Sequence, residues 1–126
     1  MSETENPVES RPRIFVVDDE LEIAKMLTVV LQMNLFDAIA YTDPHEALEA
    51  AKADPPDYMV SDIVMPGLIG IELAIRVRAE IPMCKILLFT GHIGAPIEEA
   101  KASGHSFNLV EKPIHPTKLV ESIQNL

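Results

Sequence analysis

Basic residues are scarce in this chain. Of 126 residues only ten are Lys or Arg, against twenty Asp or Glu, for a formal net charge of −10. A surface of that sign repels phosphate backbones, and no run of Lys or Arg supplies a local exception, so direct nucleic-acid binding is not expected. Cysteine is nearly absent. Cys84 alone cannot close an intramolecular disulfide, which fits a reducing compartment. No apolar run approaches the roughly 18 residues that a membrane span requires. The N-terminus lacks the basic-then-apolar pattern of a secretion signal. These absences point to a cytoplasmic protein with no membrane partner. Internal repeats are lacking too, and His45, His105 and His115 lack metal-ligand spacing, which leaves them as surface or capping residues. What remains is a chain of single-domain length, 48% hydrophobic, long enough to bury a core without staples.

Residues 1–12, "MSETENPVESRP", are polar, acidic and proline-containing, and read as a disordered leader before a domain over 13–126. From Arg13 onward apolar runs alternate with helical patterns. Strands are predicted at Ile14–Val17, Ala38–Tyr41, Tyr58–Ser61, Ile86–Phe89 and Phe107–Val110. The first and fourth are apolar throughout, as in a parallel sheet covered on both faces. Ala24, Leu27 and Leu31 share one face of a first helix. Asp43-Pro44 opens a second, with the acid as N-cap, proline in the first turn and Glu46 completing a capping box. "GIELAIRVRAE" forms a third, with Ile71, Ala74, Ile75 and Arg78 at helical spacing. Pro96 and Pro116 each stand where a fourth and a fifth helix can start. Five strands alternating with five helices predict an α/β fold: a three-layer, doubly wound, five-stranded parallel sheet of order 2-1-3-4-5.

The strand ends carry the chemistry. The first strand runs into Asp18-Asp19, the third into Asp62, the fourth into Thr90-Gly91, and the fifth, past Glu111, into Lys112-Pro113. In a parallel sheet all these ends share one edge, where the binding crevice of such folds lies. Asp62 is notable, because "YMVSDIVMPG" buries a carboxylate in an apolar run, and that is costly unless it is paired or binds a metal. Two carboxylates about 4 Å apart repel by roughly 4 kcal/mol at an effective dielectric near 20. A divalent cation removes that penalty, and hard oxygen ligands of this kind suit Mg²⁺. A metal opposite a lysine suits a transferring phosphoryl group, and a carboxylate can receive it.

"FVVDDE", "SDIVMPGLIGIEL", "LLFTGH" and "VEKPI" together resemble the receiver domains of bacterial two-component response regulators, over about Arg13 to Leu126. The resemblance implies a flavodoxin-like fold, so the strand order is not an expectation independent of it. It implies that Asp62 is the phosphoacceptor, taking its phosphoryl group from a sensor histidine kinase or a phosphotransfer protein. Asp18 and Asp19 would hold Mg²⁺ with Asp62 and the backbone carbonyl of Val64. Lys112 would pair with the aspartate and then with its phosphate, and Thr90 would bond a phosphate oxygen in the active state. Gly91 would leave the phosphate pocket open, and Pro113 would shape the following loop. Downstream targets would read the face formed by the helix after Pro96, the fifth strand and the last helix, and a phosphorylation-dependent dimer is within the family's habit. Such a domain is a phosphoacceptor that assists its own phosphotransfer and dephosphorylation rather than an enzyme acting on a separate substrate.

The chain departs from the family pattern in places. Leu109 stands where an aromatic residue usually precedes the lysine by three. Ile69 replaces a frequent acid, and Val64 and His92 occupy the positions that tune phosphoaspartate lifetime. Each motif also has a plainer reading. Asp18-Asp19 could cap the first helix, Thr90 could be an ordinary strand residue, and Lys112 could be a solvated lysine. The rival functions are a Mg²⁺-dependent aspartyl-phosphate hydrolase of small phosphoesters and a degenerate receiver acting as a binding module. The hydrolase signature separates its two acids by one residue, whereas here they are adjacent. The intact Asp62, Lys112 and Thr90 argue against the degenerate module. No output domain follows Leu126 in this sequence, which is read as either a stand-alone regulator or a fragment of a longer one.

Overall fold

The computed structural model describes residues 11–63, 70–90, 104, 107–112 and 114–126. The elements are β1 (Arg13–Val17), α1 (Leu21–Met33), β2 (Asp37–Tyr41), α2 (Pro44–Ala53), β3 (Tyr58–Asp62), α3 (Gly70–Glu80), β4 (Lys85–Thr90), β5 (Asn108–Glu111) and α4 (Pro116–Gln124). The five strands form one parallel sheet of order β2-β1-β3-β4-β5, as expected. Four helices stand among the described residues. The helix expected after Pro96 lies outside them.

Period-two alternation sends each strand's side chains to opposite layers. Phe15, Val17, Met59, Ile86 and Leu88 pack under α2 and α3 through Ala47, Leu48, Ala51, Ile71, Leu73, Ala74 and Val77. Ile14, Val16, Val60, Leu87 and Phe89 pack under α1 and α4 through Leu27, Leu31, Leu119 and Ile123. Both faces of the central strands are therefore dry, as their unbroken apolar character requires. The third helix buries Leu73 and Val77 in addition to the predicted Ile71 and Ala74, while Arg78 is half-buried with its guanidinium 4.1 Å from the Phe107 ring centroid.

Helix ends follow local chemistry with two corrections. Asp43 caps α2 by accepting the His45 N–H at 2.9 Å, but Glu46 is exposed and makes no return bond, so the capping box does not form. A solvated glutamate gains little by bending back to a donor that water already serves. The fifth strand begins at Asn108 rather than Phe107, whose ring lies against Arg78 instead of entering the ladder. His115 caps α4 through Nδ1, which accepts the Thr117 N–H at 3.2 Å, with Pro116 in the first turn as predicted. Pro12, within the predicted leader, accepts the Asp37 N–H at 2.8 Å, while residues 1–10 lie outside the described set. Cys84 is buried, and burial, with the charge of Asp57, pushes its thiol up to about 12, so it is not a reactive group. No helix among the described residues is long and apolar enough to cross a membrane.

The start of α3 fixes the end of β3. Gly70 donates its N–H to Ile63 O at 2.7 Å, and a Cβ at Gly70 would collide with the Asp62 carbonyl oxygen and lie 2.8 Å from Ile63 Cα. Only glycine lets the helix approach the Asp62 backbone this closely. Replacing glycine by alanine inside a helix ordinarily stabilises by roughly 0.5–1 kcal/mol. Here the clash is with backbone atoms that cannot rotate aside, so overpacking wins. Gly70→Ala is expected to destabilise the fold by about 1–3 kcal/mol, read as a lower urea midpoint at unchanged m-value. An unchanged or raised midpoint would show that α3 moves aside without cost.

Candidate functional site

The parallel register carries four of the predicted residues to one place. Asp18 follows β1, Asp62 ends β3, and Lys112 follows β5. Oxygens of Asp18, Asp19 and Asp62 all lie within 4.8 Å of one another. Lys112 Nζ donates to Asp18 Oδ2 at 3.1 Å and to Asp62 Oδ2 at 3.0 Å. Asp18 is fully buried, Asp62 retains 7% of its exposure, and Asp19 is exposed.

Both buried carboxylates are paired with Lys112. Asp18 Oδ1 accepts the Glu20 backbone N–H at 2.9 Å while Oδ2 takes Lys112, so the side chain is oriented from both ends. Glu20 occupies the cap position of α1 and makes no side-chain cap bond, and neither Asp18 nor Asp19 is that N-cap. The plain capping reading of the acidic pair therefore fails. The backbone of Asp62 is fixed as firmly as its side chain: Ser61 Oγ, itself buried, donates to Asp62 O at 2.9 Å, and Ile63 N–H donates to Phe89 O at 3.0 Å.

Burial alone would lower the pKa of Lys112, since a low dielectric disfavours the ammonium. Its hydrogen bonds to Asp62 and Asp18, and the charge of both, outweigh that and raise it above the ordinary 10.5. A group raised in this way contributes its full stabilisation below its unfolded pKa and loses it as pH rises through the folded value, so Lys112 is a permanent cation at neutral pH. Among the described residues, three clustered carboxylates and the one ammonium that bridges two of them leave two negative charges in excess. Such a donor set is hard, acidic and open on the Asp19 side. Its chemistry fits a small divalent cation with oxygen preference, Mg²⁺ above all.

The remaining predicted positions are placed less fully. Thr90 ends β4 in register with Glu111, which puts its backbone at the same edge. Val64, Ile69, Gly91, His92 and Pro113 lie outside the described residues. Leu109 sits on β5 opposite Leu88 and is 37% exposed. Sequence reasoning missed two contributors. Gly70 stands inside a recognised motif, but nothing in its spacing reveals its contact with Asp62. Phe89, 5.3 Å from Lys112 Nζ at its ring centroid, shows only as one more apolar strand residue.

Comparison with known proteins agrees with this geometry. Residues 14–124 match the family model of the response regulator receiver domain. The chain is 30% identical over 112 residues to the phosphoglycerate transport system transcriptional regulatory protein PgtA of Salmonella typhimurium, covering 89% of this chain and 27% of that protein. It is 32% identical over 114 residues to the DNA-binding response regulator MtrA of Mycolicibacterium paratuberculosis, covering 90% of this chain and 50% of that one. The chain thus spans between about a quarter and half the length of these relatives. Among solved structures, the chemotaxis protein CheY4 of Vibrio cholerae superposes with a TM-score of 0.81 at 24% identity, covering 92% of this chain and 98% of that chain. A CheY-like receiver domain protein of Methanospirillum hungatei superposes at 0.84 and 22%, covering 92% and 93%. At these identities the structures speak for the fold, and the family match speaks for the rest: this chain belongs to the receiver domains of two-component response regulators.

Proposed function

We propose that Asp62 is the phosphoacceptor of a phosphorylation-controlled switch, charged by a sensor histidine kinase or a phosphotransfer protein. The observation that carries this is the single ammonium of Lys112 shared between Asp62 and the buried Asp18. One Asp62 carboxylate oxygen attacks the phosphorus of a phosphohistidine. The new O–P bond forms as the P–N bond breaks, and the imidazole leaves with the electron pair. Lys112 stands within reach to follow the negative charge from the carboxylate onto the phosphoryl oxygens. Asp18, with one oxygen on the Glu20 N–H and the other on Lys112, orients the lysine, and the exposed Asp19 has the freer carboxylate for a metal. Mg²⁺ bound by Asp18, Asp19, Asp62 and the Val64 carbonyl would neutralise charge on the transferring group. Thr90 would donate its hydroxyl to a phosphate oxygen in the active state.

The chain itself would not contact nucleic acid, a reading supported by its net charge of −10. Any DNA-directed output would come through a partner or a further domain. A downstream target would read the face of the helix expected after Pro96, β5 and α4, and a cytoplasmic location is the reading supported by the single thiol and by the lack, among the described residues, of a helix long and apolar enough to cross a membrane. The hydrolase alternative is disfavoured by the adjacent placement of Asp18 and Asp19, and the degenerate module by the complete charge set.

Treatment with acetyl phosphate and Mg²⁺ is expected to add one phosphoryl group at Asp62, mapped by mass spectrometry, and Asp62→Asn is expected to abolish it because the amide is a poor nucleophile. Equal labelling of both proteins would place the acceptor elsewhere.

Mg²⁺ is expected to raise the melting temperature by relieving carboxylate repulsion, the gain amounting to about 2.7 kcal/mol at 100 times Kd. Asp19→Ala should erase the rise. A mutant that binds Mg²⁺ as tightly as the parent protein would mean that the metal lies at another site.

The switch should differ in amplitude from an aromatic one. Leucine at 109 is smaller and has no hydroxyl to expose or hide, so the packing difference between states is small and the unphosphorylated protein samples the active form. Beryllofluoride should shift NMR resonances in β5, in the loop 91–95 and in the helix expected after Pro96, with only a modest rotamer change at Leu109. Changes confined to the loops around Asp62 would refute this route of transmission.

A further inference from the structure

The strand order imposes a geometric difficulty on Lys112. The lysine follows β5, yet its carboxylate partners belong to β3 and β1, and β4 lies between β5 and β3. Strand spacing is about 4.8 Å, so the side chain must cross the end of β4 to reach Asp62. The register identifies what it crosses. Asp62 pairs with Phe89, and Phe89 with Val110, two residues before the lysine. Residues paired across adjacent parallel strands point to the same face, so the Phe89 ring lies directly in the lysine's path.

The ring is fully buried, and its centroid is 5.3 Å from Lys112 Nζ, within the range of a cation–π contact. Beside it lies a cavity of about 360 Å³ lined by Ile23, Met26, Leu27, Phe89, Lys112 and Ile114. The wall offers apolar groups almost throughout, so an ammonium that strayed toward it would lose its hydrogen bonds without replacement. Lys112 therefore has two carboxylates on one side and an aromatic face on the other. An aliphatic residue at 89 would still be apolar but would supply no negative face for the cation.

We propose that Phe89 is a positioning residue for Lys112: its ring carries the ammonium across the end of β4 and holds it between Asp18 and Asp62. Phe89 touches neither a phosphoryl group nor a metal in this role, and acts only through the lysine. The consequence for phosphotransfer rests on the function proposed above, but the effect on the ammonium does not.

The test replaces residue 89 by leucine and, separately, by 4-fluoro- and 3,4,5-trifluorophenylalanine, which keep the ring's shape while progressively draining its face of negative charge. Two quantities are measured: proton exchange of the Lys112 ammonium by NMR in the absence of any phosphodonor, and the initial rate of Asp62 labelling by acetyl phosphate with Mg²⁺. Exchange is expected to quicken in step with fluorine number and to be fastest in Phe89→Leu. Labelling should slow in the same order, about fivefold in the leucine variant. If Phe89→Leu changes both readouts while the fluorinated rings behave as phenylalanine, the ring is packing alone and the proposal is overturned. It is equally overturned if no variant changes ammonium exchange. A parent protein that takes no phosphoryl group would defeat the functional reading, and the exchange series would still decide the role of Phe89.

Discussion

Everything at the functional edge depends on one ammonium placed between two buried carboxylates. Asp18 is cut off from water entirely and Asp62 nearly so. Uncompensated, such charges would be neutralised by protonation or driven outward. Lys112 bonds both within 3.1 Å, and the Glu20 N–H takes the second oxygen of Asp18. This requirement reaches back into the topology. The first, third and fifth strands must all end at the same edge, and only a parallel sheet with β1, β3, β4 and β5 contiguous brings those ends within a lysine's reach. The outer strand β2 contributes no charge to the cluster and serves the fold.

Compensation is deliberately incomplete. Among the described residues, one cation against three carboxylates keeps the ionised lysine fixed but leaves a residual field that favours a divalent metal. Under the proposed function, the unequal exposure of the acids would divide their work. A buried, doubly bonded Asp18 is expensive to move and suits orientation, whereas the exposed Asp19 can rearrange around a hydrated ion. Asp62 stands between these extremes, with its main chain clamped by Ser61, by the approach of Gly70 and by the ladder to Phe89. In the proposed role of phosphoacceptor, a carboxylate held this way would lose little further entropy on reacting.

Much of this was legible in the residues because the rules that govern it are local. Short apolar runs between helical patterns placed the strands, and the convergence of the residues at or just beyond their ends, Asp18, Asp62 and Lys112, followed from the parallel arrangement. What stayed hidden depends on contacts between elements. Gly70 and Phe89 are unremarkable as letters, and they gain meaning only when α3 is laid on the Asp62 backbone and β4 is threaded between β3 and β5. The expected capping box failed for a different reason. Its pattern specifies that Glu46 can reach back, and solvent exposure decides that it does not. The first residue of β5 was misplaced because Phe107 has a competing partner in Arg78, whose stacking lies outside any strand pattern.

The strand that delivers the lysine is also the most weakly embedded. β5 is four residues long, lies at the sheet's edge, and buries even Val110 only partly, while Asn108, Leu109 and Glu111 are exposed. Apolar burial therefore contributes little to its attachment compared with β1 or β4. A substantial part of its position is set by the ladder to β4 and by the charge pairs that Lys112 makes at its end. Regions with few buried apolar contacts open at low free-energy cost. Any event that redraws the charge around Asp62 thus acts on the element least able to resist it, whereas the central strands β1, β3 and β4, buried on both faces, have no comparable freedom to respond. The coupling proposed between chemistry at Asp62 and the surface at β5 would in this sense be a consequence of where the sheet's hydrophobic core ends.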